Sequence, residues 1–146
     1  MKDGICVEIV TDGRTITETD IVMFSYFTGD WTYLHTDAEA SKVSIFGERV
    51  AHGYLTLSIS LGLVVRSGAI DVKKFIALIS IESVKFLNPV KIGDTLKVAY
   101  TITKEDDRGN RVKVTTKART INQKNQTVME FKTVHLERTE GEGGKL

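Results

Sequence analysis

This chain of 146 residues has one cysteine, one proline and almost no net charge, and each scarcity narrows what it can be. Cys6 has no second thiol to pair with, and no Cys/His cluster has the spacing of a structural zinc site, so the fold holds by packing alone. Lys and Arg number 20 against 19 Asp and Glu, a formal charge of +1, which supplies none of the long-range field that draws a protein to DNA or RNA. Nucleic acid is excluded as a partner on that ground. No apolar run reaches the roughly 18 residues that a membrane-spanning helix needs. The longest, from Tyr54 to Val65, is diluted by Thr56, Ser58, Ser60 and Gly62, so no membrane partner is expected. The N-terminal MKDGICVEIVTDG lacks the apolar stretch and small-residue cleavage site of a targeting segment, and a cytoplasmic protein is the expectation. Groups suited to chemistry near neutral pH are few: His35, His52, His135, one thiol, and whichever carboxylates are unusually placed.

What is present is the composition of a soluble globular protein, 41% hydrophobic and 27% charged, at a length that fits one domain of roughly 100–200 residues. Residues 1–138 read as that domain, followed by a flexible tail over 139–146 that contains Glu140-Gly-Glu-Gly-Gly. A β-prone run over Cys6–Val10 ends at the turn signal Asp12-Gly13. Thr17 has the character of an N-cap, with Glu18 and Asp20 acidic in the first turn and Ile21, Phe24 and Thr28 at helical spacing; this helix stops near Gly29. Residues 30–49 read as a loop with a helical turn at Ala38–Val43. A second helix runs from about His52 to Arg66, apolar on nearly every side, which predicts a buried helix, with Gly68 as its C-terminal cap.

Beyond Gly68 the period changes to two. Phe75–Leu87 is a strand apolar on both faces in its first half, ended by Asn88-Pro89. Leu96, Val98, Tyr100 and Ile102 alternate with Lys97, Ala99, Thr101 and Thr103, as in a sheet covered on one face. Lys104–Arg111 mixes both signs of charge around Asp107-Arg108-Gly109-Asn110 and reads as a solvated hairpin turn, with strands Val112–Ile121 and Thr127–Glu137 after it. One long buried helix with about five consecutive, mostly antiparallel strands predicts an α+β fold in which a curved sheet wraps the helix, the hot-dog architecture.

Chemistry concentrates in two segments. Thr28-Gly29-Asp30-Trp31-Thr32-Tyr33-Leu34-His35 places a carboxylate and an imidazole five residues apart on a loop. Phe46-Gly47-Glu48-Arg49-Val50-Ala51-His52-Gly53 then delivers a His-Gly pair to the start of the buried helix. There, free backbone N–H groups and the positive dipole end suit a carbonyl oxygen that becomes an oxyanion, and glycine lets a ligand approach closely. An acid/base pair and an electrophilic amide are the parts of proton transfer beside a carbonyl.

Thr28-Gly29-Asp30, Leu34-His35, Ser41 six positions later, Phe46-Gly47, Val50-Ala51-His52-Gly53 and Phe86-Leu-Asn-Pro-Val-Lys-Ile-Gly-Asp94 together resemble the MaoC-like family, which contains the (R)-specific enoyl-CoA hydratases. Where those hydratases carry Asn-Pro, this chain has Thr32-Tyr33. The resemblance implies a hot-dog fold, a homodimer with the two sheets continuous or a higher homo-oligomer, and action on acyl thioesters of coenzyme A or acyl carrier protein, with no metal or redox cofactor. Carried over residue by residue, it implies that His35 is the base, Asp30 orients the water and handles the proton exchanged at C2, and the Gly53 N–H polarises the thioester carbonyl. Trp31 and Tyr33 are expected to shape the acyl pocket, and His52 to stand by the substrate while fixing the loop at the helix start. His135, on a strand face with Met129, Phe131 and Thr133, is expected to pack or face solvent, and Cys6 to be inert. Thr56, Ser58 and Ser60 are expected to bond back to helix carbonyls, and Asp37 and Glu39 to be helix-turn or surface acids. Two other activities fit the same fold: a hot-dog acyl-CoA thioesterase, and an acyl-CoA-binding module without catalysis.

Overall fold

The computed structural model describes residues 7–107 and 109–139; Cys6 and the other residues of 1–6, Arg108, and residues 140–146, most of the expected flexible tail, lie outside the described residues. Two short strands, β1 (Ile9–Val10) and β2 (Arg14–Thr15), precede helix α1 (Glu18–Thr28), a one-turn helix α2 (Tyr33–Thr36), a 3-10 turn at Ala40–Val43 and the long helix α3 (Gly53–Arg66). Four long strands follow: β3 (Phe75–Phe86), β4 (Thr95–Asp107), β5 (Arg111–Ile121) and β6 (Thr127–Arg138). The β-prone run at the N-terminus thus shrinks to β1, and β2, with only two residues, carried no period to predict it.

Helix α1 begins where Thr17 said it would, because two bonds close a capping box. Thr17 Oγ1 accepts from the Asp20 N–H at 3.3 Å, and Asp20 Oδ2 accepts from the Thr17 N–H at 2.8 Å. Arg14 grips the same carboxylate through two bonds of 2.6 and 3.2 Å. Burial pushes the Asp20 carboxyl up, but the bonds from Arg14 and Thr17 outweigh it and hold the group below its ordinary value. Gly29, at φ +76°, ends the helix by donating its N–H to the Ser25 carbonyl at 2.9 Å. The buried face is Ile21 and Ser25, with Phe24 half-buried; Thr28, placed on that face by spacing, is exposed and returns its hydroxyl to the Phe24 carbonyl. Thr17→Ala should cost about 1 kcal/mol. For a chain of this length that is a fall of roughly 2–4 °C in Tm, readable by thermal denaturation.

All strand pairs are antiparallel, in the order β1-β4-β5-β6-β3, with β2 also pairing β4. The alternation in β4 turns Leu96, Val98 and Tyr100 inward, all fully buried, and the register Tyr100↔Ala118↔Phe131 continues that inner face across β5 and β6. Leu55, Leu63 and Val64 of α3 join the same core, each stabilising the fold by roughly 1.5–3 kcal/mol. Two hydroxyl contacts fix the helix along the sheet: Ser60 Oγ to Thr120 Oγ1 at 2.8 Å, and Ser67 Oγ to Tyr100 Oη at 2.7 Å. Thr56, Ser58 and Ser60 do bond back, to the carbonyls of His52, Tyr54 and Thr56.

Two expectations need correction. Helix α3 is buried on one side only: Tyr54, Ser58, Gly62 and Val65 are exposed, because a single sheet covers one side of a helix. Strand β3, apolar on both faces, lies at the edge of the sheet rather than inside it, and Phe75, Ile76, Leu78, Ile79 and Ile81 are 40–56% exposed. Its register against β6 shifts three times, once beside Ser83 at φ +53°.

Candidate active site

Gly29 turns the chain out of α1 so that Asp30 stands directly after the cap. Asp30 Oδ1 accepts from the Thr32 N–H at 3.1 Å and the Thr32 hydroxyl at 2.6 Å, and Oδ2 makes no hydrogen bond among the described residues. The carboxyl is held below its ordinary value by those Thr32 bonds, which outweigh the opposing effect of burial. Asp30 is thus the turn carboxylate that a local reading predicts, with one oxygen still available. Thr32, at the position where the related hydratases carry asparagine, supplies the donors that hold it. Tyr33, in the place of proline, opens α2, the position where proline fits a helix without being required by it.

His35 lies on α2 rather than on an open loop. Four residues carry no readable helical period, so this turn, which is closed by the Asp37 N–H to the Tyr33 carbonyl at 3.0 Å, has no signature in the sequence. His35 Nδ1 is 2.7 Å from the Val50 carbonyl. A carbonyl only accepts, so Nδ1 carries the proton and Nε2 keeps the lone pair a base needs. The Val50 N–H in turn donates to the Leu34 carbonyl at 3.0 Å, tying α2 to the segment before α3.

His52, the N-cap of α3, is 1% exposed and stacks on His35 with ring centroids 3.8 Å apart and planes at 27°. Its Nε2 lies 3.2 Å from the Asp30 carbonyl and 3.2 Å from Ser25 Oγ, so Nε2 bears the hydrogen, and Nδ1 is buried without a partner. Burial pushes its pKa down, outweighing the pull of the Asp30 backbone, and keeps the ring neutral. His52 is therefore the link between the Asp30 backbone and the helix start. Ser25 was missed from the sequence; its only signal was its position one turn after Ile21.

One Asp30 oxygen and one ring nitrogen each from His35 and His52 all lie within 4.8 Å of one another. Among the described residues these three form the one His/Cys/Asp/Glu group close enough to hold a metal ion. One His52 nitrogen faces the Asp30 carbonyl and one His35 nitrogen the Val50 carbonyl, which leaves one nitrogen on each ring.

Beside His35 opens a cavity of about 340 Å³ lined by Leu34, Phe46, Gly53, Thr56, Phe86 and Val128 among others. Gly53 is the first residue of α3, and the amides of a helix's first turn have no acceptor within it, so its N–H is free to serve a ligand. Sequence reading placed Gly53 here and quoted Phe46 and Phe86 within motifs without giving either a role; Val128, from β6, it missed. In this single chain Asp30, Trp31, Tyr33 and His52 do not line the cavity: His52 is buried, Trp31 and Tyr33 are about half exposed, and Trp31 makes an edge-on contact with Tyr26 at 4.9 Å. His135 lies elsewhere, buried against Glu137 at 3.2 Å. Asp37 caps the 3-10 turn through bonds from the Glu39 and Ala40 N–H groups, and Glu39 is an exposed partner of Lys42.

A model of the MaoC like domain matches residues 8–124. The chain belongs to the MaoC-like domain family. It is 46% identical over 93 residues to Protein MaoC of Klebsiella aerogenes, covering 64% of this chain and 27% of that protein. It is 34% identical over 94 residues to the (R)-specific enoyl-CoA hydratase of Rhodospirillum rubrum, covering 62% of this chain and 60% of that enzyme. The chain thus spans about a quarter of the first relative and three fifths of the second. Among solved structures, an Archaeoglobus monoamine oxidase regulatory protein superimposes with a TM-score of 0.88 at 39% identity, over 94% of this chain and 92% of its own. A MaoC-like dehydratase of Rhodospirillum rubrum gives 0.80 at 26% identity, over 95% of each chain. A Mycobacterium tuberculosis protein with a double hot-dog fold, at 13% identity and a TM-score of 0.79, shares the fold. In this MaoC-like chain the hot-dog sheet and helix bring Asp30, His35, His52 and Gly53 to one end of α3.

Proposed function

We propose that the protein hydrates trans-2-enoyl thioesters of coenzyme A or acyl carrier protein to (R)-3-hydroxyacyl thioesters, or runs the reverse dehydration. The observation that carries this reading is an Asp30 carboxylate oxygen within 4.8 Å of a His35 ring nitrogen, with His35 and Gly53 lining one cavity. A water between Asp30 and His35 gives one proton to His35 Nε2 as its oxygen bonds to C3. Asp30 orients that water and relays to C2 the proton that His35 has taken, so both residues return to their starting state and one H and one OH add across the double bond. Negative charge then builds on the thioester oxygen, where the Gly53 N–H at the helix start stabilises it by roughly 2.7–4 kcal/mol if it acts as single oxyanion donors do. No step in this scheme calls on a metal or redox group.

Incubation with crotonyl-CoA tests the reading against its two rivals. Hydration removes the conjugated enoyl absorbance and leaves the thioester intact. Thiol release marks a thioesterase, and a substrate that is bound but unchanged marks a binding module.

The partner that fits β3 is a second copy of the chain. A 12-residue edge strand with exposed apolar side chains on both faces is an aggregation hazard unless covered, and pairing two such edges about a two-fold axis makes the sheets continuous. Light scattering should return twice the 16.2 kDa of one chain; a 16.2 kDa species at micromolar concentration counts against this assembly.

A further inference from the structure

The cavity beside His35 has a deep end and a rim. Val128, Thr56 and Val90 are 1%, 3% and 4% exposed and form its floor, whereas Phe86 and Leu87 are about half exposed at its edge. Phe86 is set apart by what it touches. A Cβ built on Gly53 would meet Phe86 Cζ at 2.9 Å, Cε1 at 3.0 Å and Cδ1 at 3.4 Å, so the ring is seated directly on the Gly53 backbone, which lines the cavity. Strand pairing with Met129 holds the Phe86 backbone against β6, so the ring cannot draw back with its strand. About 340 Å³ is also near the low end of the roughly 300–1,000 Å³ of small-molecule sites. That space must take the thioester and the reacting carbons before any tail.

We propose that Phe86 is a specificity-determining residue: seated on Gly53, its ring closes the cavity beside the carbonyl position and restricts the acyl group to short chains. The inference rests on the hydratase reading for the placement of C1 at Gly53. A chain that enters at Gly53 runs between the ring and the floor, and extra methylenes meet Phe86 or the closed floor. A smaller side chain at 86 opens the wall without touching Asp30, His35 or the Gly53 N–H.

The test compares wild type, Phe86→Ala and Phe86→Leu. Hydration of crotonyl-CoA and trans-2-octenoyl-CoA is measured as kcat/KM, and binding of butyryl-CoA and octanoyl-CoA by calorimetry, with thermal melts to show that the half-exposed site tolerates each change. Wild type should favour the short chain in both assays. Phe86→Ala should move the long-to-short ratio at least ten-fold toward the long chain, with Phe86→Leu between. A ratio within two-fold of wild type in both variants, a wild type that favours octanoyl-CoA, or binding of neither ligand overturns the assignment. If wild type hydrates neither enoyl thioester yet the binding ratio still shifts ten-fold in Phe86→Ala, the closing role of Phe86 stands and the hydratase reading falls.

Discussion

Asp30→Asn and His35→Ala should each slow crotonyl-CoA hydration by roughly 10²–10⁴-fold, the range in which a positioned acid or base contributes to a proton transfer. The two losses arise differently. Asparagine at 30 still offers Thr32 a carbonyl oxygen, so the turn and α2 persist, but the negative charge that orients the water is gone. Alanine at 35 removes the lone-pair nitrogen together with the 2.7 Å bond to Val50 and the stack on His52, so a stability cost of about 1 kcal/mol accompanies the kinetic loss. Neither change touches the core of α3 and β4–β6. Both variants should therefore melt cooperatively, within a few degrees of wild type, while the enoyl absorbance persists. Either variant keeping most of the wild-type rate would remove that residue from the mechanism.

Glu137→Gln should destabilise the fold at neutral pH by roughly 1–3 kcal/mol, the cost of stripping a buried charged partner from its hydrogen bonds. Glu137 is 2% exposed, with Lys104 Nζ at 2.6 Å on one oxygen and His135 Nε2 at 3.2 Å on the other; Phe75 packs against the His135 ring. Burial alone raises its pKa, but Lys104 and His135 outweigh burial and hold the carboxyl below its ordinary value. A carboxyl lowered by folding binds fewer protons in the native state than in the unfolded one. Its contribution is therefore present above the unfolded carboxyl value of about 4.3 and is lost as pH falls through the lower, folded value. Urea melts at pH 7 and below pH 4 should show a smaller acid loss in the variant than in wild type. Asp20 and Glu18, each lowered through an arginine partner, keep part of that acid sensitivity in both. Parallel pH profiles would mean that the buried pair carries no linked stability.

The parts of this fold that were legible in the sequence are those governed by local chemistry. Thr17 with Asp20 three residues on, and Gly29 in the left-handed region, set both ends of α1. The alternation from Leu96 to Ile102 set the inward face of β4, and the His52-Gly53 pair marked the start of α3. What was not legible depends on which surfaces meet. An apolar strand reads the same at the centre or the edge of a sheet, so the exposure of β3 followed only from the strand order. The outer side of α3 reads as core until the sheet is seen to cover one side. At the site, Asp30, His35 and Gly53 were picked out by the resemblance of their motifs to the MaoC-like family, and the structure brings them to one end of α3. Ser25 and Phe86 were not, because each acts through a contact with a residue 27 or 33 positions away. Thr32 was a departure from the related hydratases by sequence, and only its two bonds to Asp30 show what it does there.

The central claim is that Asp30, His35 and the Gly53 N–H add water across an enoyl thioester on one face. Chiral analysis of the product formed from crotonyl-CoA by the wild-type protein tests it most directly. The account predicts (R)-3-hydroxybutyryl-CoA as the product, with the thioester intact; the (S) product, released thiol, or unchanged crotonyl-CoA would contradict it.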